Sequence, residues 1–510
     1  MEHSESAHQT VSDVHRDPAT HADFALGRGE GDEQMKQTAS TRKDRPDPPD
    51  LRKRVHELMS GLHEVLADLV RIKSVSADPP PQDVVDCCDA VVSLFQEAGI
   101  TSARRGTITY NGNRTAPLVF ADHPAATDDA PTVLIYSHYD VQPAKQSDGW
   151  GGDPFQPWER TDGADTRLYG RGAADDKSGI CMHLGAVRAF EGRPPVHLKF
   201  VFEGEEELGR GVLEDYLNDP GTQDDRFTAD LVVVADTGNV RLGVPTLTST
   251  LRGISIFDVE VATLDAPVHN GMYGGPTPDA FMVLVRLLAT LHDDAGNVAV
   301  PGLDSADVPW TPVGEKQFRQ DARLLPEVPL VGSGTLAQRL FGKPAINVVG
   351  LDGVNSMSEA SNALRPKATA RISVRLAPSQ DPEQARKALQ QHLESTTPWG
   401  VRPKVTFVTD GAGFLADEGG AYYRLASEAI AEAYESDTVR TGQGGSIPLV
   451  HAFHKVNPNA GIVLWGCEEP RAAIHGVDES VSYAEFEHMT LAEALLLQKI
   501  ADSPNRGGTR

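Results

Sequence analysis

The stretch PTVLIYSHYDVQP, residues 131–143, opens with an unbroken apolar run over 133–136 and turns polar at Ser137, His138, Tyr139 and Asp140. An apolar run without alternation reads as a strand buried on both faces, as inside a parallel sheet covered by helices. Three further runs have the same form. Residues 198–202 lead into Glu203, Gly204, Glu205, Glu206 and Glu207; 231–234 lead into Ala235 and Asp236; and 462–465 lead into a loop carrying His475. Helices are predicted over 177–190 and 425–433, and over 51–72, where Val55, Leu58, Met59, Leu62, Leu66 and Val70 recur at helical spacing. Strands alternating with helices predict an α/β fold with a mixed sheet and helices on both of its faces.

The rhythm changes between 245 and 410. A strand over 254–261, a helix over 279–292, a long Pro-rich loop, a strand over 370–376, a helix over 382–394 and a strand over 404–408 suit two helices on a small antiparallel sheet. Because α/β material resumes afterwards, this block reads as a smaller α+β, two-layer, ferredoxin-like domain inserted at 245–410. It splits a larger domain made of 51–244 and 411–510. Residues 1–50 are polar and poor in apolar side chains, so they are expected to be a disordered tail, with His3, His8, His15 and His21 solvated rather than metal-binding.

A chain of 510 residues is long enough for two or three domains. Its formal charge of −26 repels phosphate backbones and anionic bilayers, which argues against nucleic acid and membrane partners. Four cysteines, two of them adjacent at Cys87 and Cys88, suit reduced thiols, and neither a signal segment nor a membrane span is legible. A cytoplasmic location is expected.

Ligands of an open α/β sheet collect beyond the carboxyl ends of its strands. His138, Glu205 to Glu207, Asp236 and His475 all follow such ends, and Asp175 and Asp176 follow GRG at 170–172 and open a helix. Taken singly, each has an ordinary reading: a rim histidine, a solvated acidic turn, a helix N-cap, a turn-initiating Asp. Together, the acids repel one another and call for positive charge. Arg171 and Lys177 can supply part of it; two divalent ions held by imidazole and carboxylate would satisfy the whole set.

At this point the sequence resembles a known family, the two-metal peptidases and deacylases that include carnosinase, aminoacylase, succinyl-diaminopimelate desuccinylase and glutamate carboxypeptidase. The motifs that carry the likeness are SHYDVQP (137–143), DGW (148–150), LYGRGAADDKSG (168–179), EGEEELG (203–209), Asp236, HNGMYGG (269–275), RISVRLAP (371–378), GGSIP (444–448) and His475, in this order from Leu51 onward. The form is nearest the carnosinase-like dipeptidase branch.

The resemblance implies His138 and Asp236 on one ion, Glu207 and His475 on the other, and Asp175 bridging both, with zinc the default and manganese or cobalt as alternatives. It implies hydrolysis of an amide bond by a hydroxide shared between the ions, with Glu206 as general base and Asp140 orienting His138. It makes the larger domain catalytic and the inserted one a lid and dimerisation domain. His269 of that domain would reach the reacting carbonyl in the neighbouring subunit of a homodimer, although Asn270 stands where the family has Ser. Arg375 and Ser446, with Asn362 and Gly445 nearby, would bind a substrate carboxylate. A dipeptidase is the reading favoured by RISVRLAP, GGSIP and the SHYDVQP form of the first motif; a deacylase of acetyl or succinyl amino acids and a catalytically silent binding homologue are the alternatives.

Overall fold

The computed structural model describes residues 50–209 and 211–503. The polar tail, apart from Asp50, lies outside them. Asp50 is the N-cap of the first helix, Leu51–Arg71, and accepts from Lys53 N at 3.1 Å. Val55, Met59, Leu62, Leu66 and Val70, spaced three or four apart, form its buried stripe.

The central sheet has six strands in the order Arg104–Gly106, Leu118–His123, His197–Glu203, Thr132–His138, Leu231–Val234 and Gly461–Leu464. The last four run parallel, and the first two pair antiparallel at one edge. Helices cover both faces. On one face Phe200 and Phe202 pack against Phe95 of helix Gln82–Glu97, and Phe202 stacks on His183 of helix Lys177–Ala189. On the other, Tyr136 meets Phe453 of helix Pro448–Val456 edge-on. The α/β class expected from the buried runs is the one observed.

Helix Lys177–Ala189 lies between Leu51–Arg71 and the C-terminal helix Tyr483–Asp502. Gly185 allows that approach: a Cβ there would come within 2.5 Å of Thr490 Cγ2 and 2.8 Å of Leu62 Cδ1.

A second core lies in the inserted block. Strands Ala345–Asp352, Lys367–Leu376, Gly253–Ala262 and Lys404–Gly411, in that order, make an antiparallel sheet. Along Gly253–Ala262 burial alternates, and Phe257, Val259 and Val261 meet Val283, Leu284 and Leu287 of helix Ala280–Ala289. Helix Pro382–Ser395 adds Ala385, Leu389 and Leu393. Two features differ from expectation. Strand Ala345–Asp352 occupies part of the predicted loop; it is an edge strand, with its apolar Val348, Val349 and Leu351 exposed, so it has no burial pattern to read. Strand Thr246–Leu251, inside the predicted block, belongs to the larger core: it pairs with Val439–Gln443 and Phe414–Leu415 and buries Leu247 and Leu251 there. Its TLTSTL sequence is too polar to announce full burial.

Among the described residues no helix is long and apolar enough to cross a membrane. All four cysteines are free and buried.

If Gly185 is the point of contact of three helices, Gly185→Leu is expected to lower stability by about 3 kcal/mol, the upper part of the usual overpacking range. Denaturant unfolding measures this; a variant as stable as the parent would show that the helices are not held at this distance.

Candidate active site

His138 is the last residue of its strand and fully buried. Its Nδ1 lies 3.1 Å from the Asp140 carbonyl oxygen and 3.5 Å from Asp140 Oδ1, which leaves Nε2 facing the rim. There Nε2 is 2.9 Å from Asp175 Oδ1 and 3.9 Å from Asp236 Oδ1. Asp236 stands two residues beyond the neighbouring strand Leu231–Val234. Asp175 turns its other oxygen the opposite way: Oδ2 is 3.0 Å from His475 Nε2, which is in turn 3.0 Å from Glu207 Oε2. Two triads result, His138 with Asp175 and Asp236, and Asp175 with Glu207 and His475, with the donor atoms of each within 4.8 Å of one another. One carboxylate joins them.

Glu206 sits beside both triads on the turn that follows strand His197–Glu203. Burial pushes its pKa up to about 7, with repulsion from Asp140, Glu207 and Asp175 adding to this and His138 opposing it. Asp140 fixes this turn: Oδ1 accepts from Glu206 N at 3.1 Å and Oδ2 from Glu207 N at 3.0 Å. Its carboxylate thus holds the 206–207 backbone, and its carbonyl is the closer partner of the His138 ring. Gln142 Nε2 donates to Glu207 Oε2 at 2.8 Å. Glu203 accepts from the Tyr136 hydroxyl and Glu205 from Ala116 N, so both have supporting partners.

The two cations named in the sequence as counter-charges are engaged elsewhere. Lys177 Nζ donates to the Leu69 and Ile72 carbonyls, both at 2.8 Å, at the end of the first helix. Arg171 Nη1 pairs with Glu479 Oε2 at 2.5 Å. The site instead draws on its own imidazoles. Burial alone would raise Asp175, but hydrogen bonds with His138 and His475 outweigh it and hold Asp175 well below the carboxylate range. The bonds to Asp175 and Glu207 push His475 up to about 10. Asp236 is raised well above its usual range, first by burial and then by Glu206. Imidazole and carboxylate donors so arranged fit a pair of divalent cations, whose binding would displace the imidazole protons.

Glu479 has no counterpart among the residues singled out from sequence. Fully buried, its Oε1 accepts from Gly172 N, Ala174 N and Asp175 N, each at 3.1 Å, so it fixes the loop that presents Asp175. Its only sequence signal is an acid four residues after His475. Behind the rim, Ser137 Oγ is 3.0 Å from His183 Nε2, and His183 Nδ1 is 2.7 Å from Glu493 Oε2, a buried polar chain beneath His138.

Arg375, on strand Lys367–Leu376, donates from Nη1 to Ser446 Oγ at 2.9 Å, and Ser446 donates to the Arg252 carbonyl at 2.5 Å. Gly445 lies beside them between strand Val439–Gln443 and helix Pro448–Val456. Arg252 is a second guanidinium here that no sequence motif marks; burial, then repulsion from Arg375, brings it down to about 10. Among the described residues neither guanidinium has a carboxylate partner, whereas Arg371 is already paired with Asp258 at 2.7 and 2.8 Å. His269 and Asn362 form a separate, exposed group on the ribbon of Val268–His269 with Ala363–Leu364, where Asn270 N donates to the Asn362 carbonyl at 3.0 Å.

Known proteins share this geometry's sequence and fold. The cysteinylglycine-S-conjugate dipeptidase of Corynebacterium striatum is 35% identical over 444 residues, covering 86% of this chain and 94% of its own length. The Cys-Gly metallodipeptidase dug1 of Schizosaccharomyces pombe is 27% identical and covers 82% of this chain and 91% of its own. The crystal structure of human carnosine dipeptidase 1 superposes with a TM-score of 0.74 at 24% identity, over 89% of this chain and all of that one, and shows the shared fold. Residues 134–499, which include both triads, match the profile of peptidase family M20/M25/M40, and the chain belongs to that family.

Proposed function

We propose that this peptidase is a two-metal dipeptidase acting on small peptides with a free C-terminal carboxylate. The observation that carries the reading is Asp175, whose two oxygens face two donor triads with an uncommitted carboxylate, Glu206, beside them. The names of the two relatives, a cysteinylglycine-S-conjugate dipeptidase and a Cys-Gly metallodipeptidase, support the substrate class. His138 and Asp236 would hold one ion, Glu207 and His475 the other, and Asp175 both; zinc suits the donor set, with manganese or cobalt as alternatives. Such a pair, when bound, polarises the scissile carbonyl and acidifies a water.

The residues of the chain do the rest. Glu206, with a pKa raised toward neutrality, takes the proton of the attacking water and passes it to the leaving amine nitrogen. Asp140 holds Glu206 and Glu207 in register for these separate duties. Arg375 and Ser446 bind the substrate carboxylate, with Gly445 beside them, and Arg252 adds charge.

The larger domain is the catalytic one and the inserted block the lid; because strand Thr246–Leu251 belongs to the larger core, the inserted part narrows from 245–410 to about 253–411. His269 and Asn362 would serve the neighbouring subunit of a homodimer. Their exposure, and the exposed apolar residues Val348, Val349 and Leu351 on the open edge strand, support this. Buried free thiols support a cytoplasmic location.

Glu206→Gln is expected to retain two metal ions per chain while turnover of a dipeptide falls about 10²- to 10⁴-fold; Glu207→Ala should lose one ion. Metal analysis beside initial rates checks both, and near-parental turnover in Glu206→Gln would remove it as the base. Arg375→Ala should raise KM for a dipeptide far more than for its C-terminal amide, and equal losses on the two would refute the carboxylate grip. Glu479→Gln, which meets the ligand residue Asp175 only through its main-chain N–H, is expected to weaken divalent cation affinity about 10- to 100-fold. Competition with a chromogenic chelator measures it, and unchanged affinity would show that the Asp175 loop stands without Glu479.

A further inference from the structure

Beyond strand Gly461–Leu464 the chain enters the loop that carries His475, and Glu468 stands near its start. Glu468 is only 6% exposed. Its carbonyl accepts from Asn239 N at 2.8 Å, and its backbone passes so close to Gly238 that a Cβ there would lie 2.3 Å from Glu468 O. The residue is thereby fixed against the segment that follows Asp236. Its carboxylate is incomplete: Oε1 is buried without a hydrogen-bond partner. A buried carboxylate oxygen left unpaired is costly and calls for a donor from outside the fold.

Glu468 also lines a cavity of about 680 Å³, within the range of roughly 300–1,000 Å³ that small-molecule sites occupy. Its walls are largely apolar, among them Val240, Val244, Phe318, Leu340, Phe341 and Ile474. Two of its sides continue directly from proposed metal ligands: Gly238 to Val240 follow Asp236, and Ala473 and Ile474 precede His475. Arg375 and Ser446 are not part of the lining.

We propose that Glu468 binds the α-ammonium of the residue whose carbonyl is cleaved, and that the side chain of that residue, large and apolar, fills the cavity. This rests on the dipeptidase reading. With the C-terminal carboxylate at Arg375 and the scissile carbonyl at Asp175, the first residue of the substrate must run along the walls that flank Asp236 and His475. Its ammonium is one carbon away from the reacting carbonyl. Glu468 is held near that centre by its backbone pairing with Gly238, two residues after Asp236. The preferred substrates are then dipeptides with an unblocked amine and a bulky apolar first residue, and N-acylated analogues lack the charge that Glu468 pairs.

The test uses the full chain loaded with zinc, and Phe-Gly, Ala-Gly, Ala-Phe and N-acetyl-Phe-Gly as substrates. Wild type should favour Phe-Gly over its acetylated form, a comparison that needs no variant. Glu468→Gln should raise KM for Phe-Gly about ten- to hundredfold, the loss expected for a charge-assisted hydrogen bond, with a smaller fall in kcat and unchanged zinc content and melting temperature. Val240→Trp, at a partly exposed wall position, should lower kcat/KM for Phe-Gly about tenfold more than for Ala-Gly and leave Ala-Phe like Ala-Gly. An unchanged KM in Glu468→Gln, or loss of zinc and kcat together, would overturn the ammonium site. Selective loss of Ala-Phe in Val240→Trp would move the cavity to the other residue and overturn its assignment. Cleavage of acetyl amino acids without any dipeptide would bring down the dipeptidase reading itself, whereas dipeptide cleavage with indifferent variants would bring down this inference alone.

Discussion

Asp175 faces two ways, and most of the surrounding architecture answers to that. A carboxylate buried at a sheet rim can keep its charge only if both oxygens are met, and His138 and His475 meet one each. The two imidazoles come from the central strand and from a loop near the C-terminus, so the sheet must bring Thr132–His138 and Gly461–Leu464 to the same side of the molecule through Leu231–Val234. Parallel pairing does this, because it aligns the carboxyl ends and stacks the chemistry on one rim. Burial at that crowded rim, with repulsion from the neighbouring acids added, raises the pKa of Glu206 to about 7, which suits the proton transfer proposed for it.

The legibility of the fold and the site divides along physical lines. Strands buried on both faces had to be runs such as VLIY and LVVV, and the polar residues at their ends mark out His138, Glu207 and Asp236. Amphipathic elements of the inserted block were legible from their period, as in Gly253–Ala262 and Pro382–Ser395. Strand Ala345–Asp352 was not, because an edge strand with exposed valines and a register shift near Val348 has no hydrophobic face to display. The joining of the two triads through Asp175 rested on likeness to a family, since spacing cannot tell a bridging Asp from a helix cap. Glu479 and Arg252 escaped notice for another reason. One acts on main-chain N–H groups and the other becomes meaningful only beside Arg375, and neither relation is written in local sequence.

The inserted sheet and the sheet that carries the triads have separate hydrophobic cores, yet the guanidinium of Arg375 crosses to Ser446, which is anchored in turn on Arg252 at the start of the insertion. The carboxylate grip proposed for these residues would thus be built on the seam between the two cores. A substrate held there would span that seam, with its reactive bond over the rim of the larger core and its charged end against the strand of the other.

The bond from Glu479 to the 172–175 backbone spans more than three hundred residues of chain. During synthesis Asp175, His138 and Asp236 leave the ribosome long before Glu479 and His475 do, at roughly 5–20 residues per second. For that interval the bridging carboxylate has neither its clamp nor its second imidazole. Until the segment with Glu479 and His475 docks, a nascent chain can therefore complete only one of its two donor triads, His138 with Asp175 and Asp236.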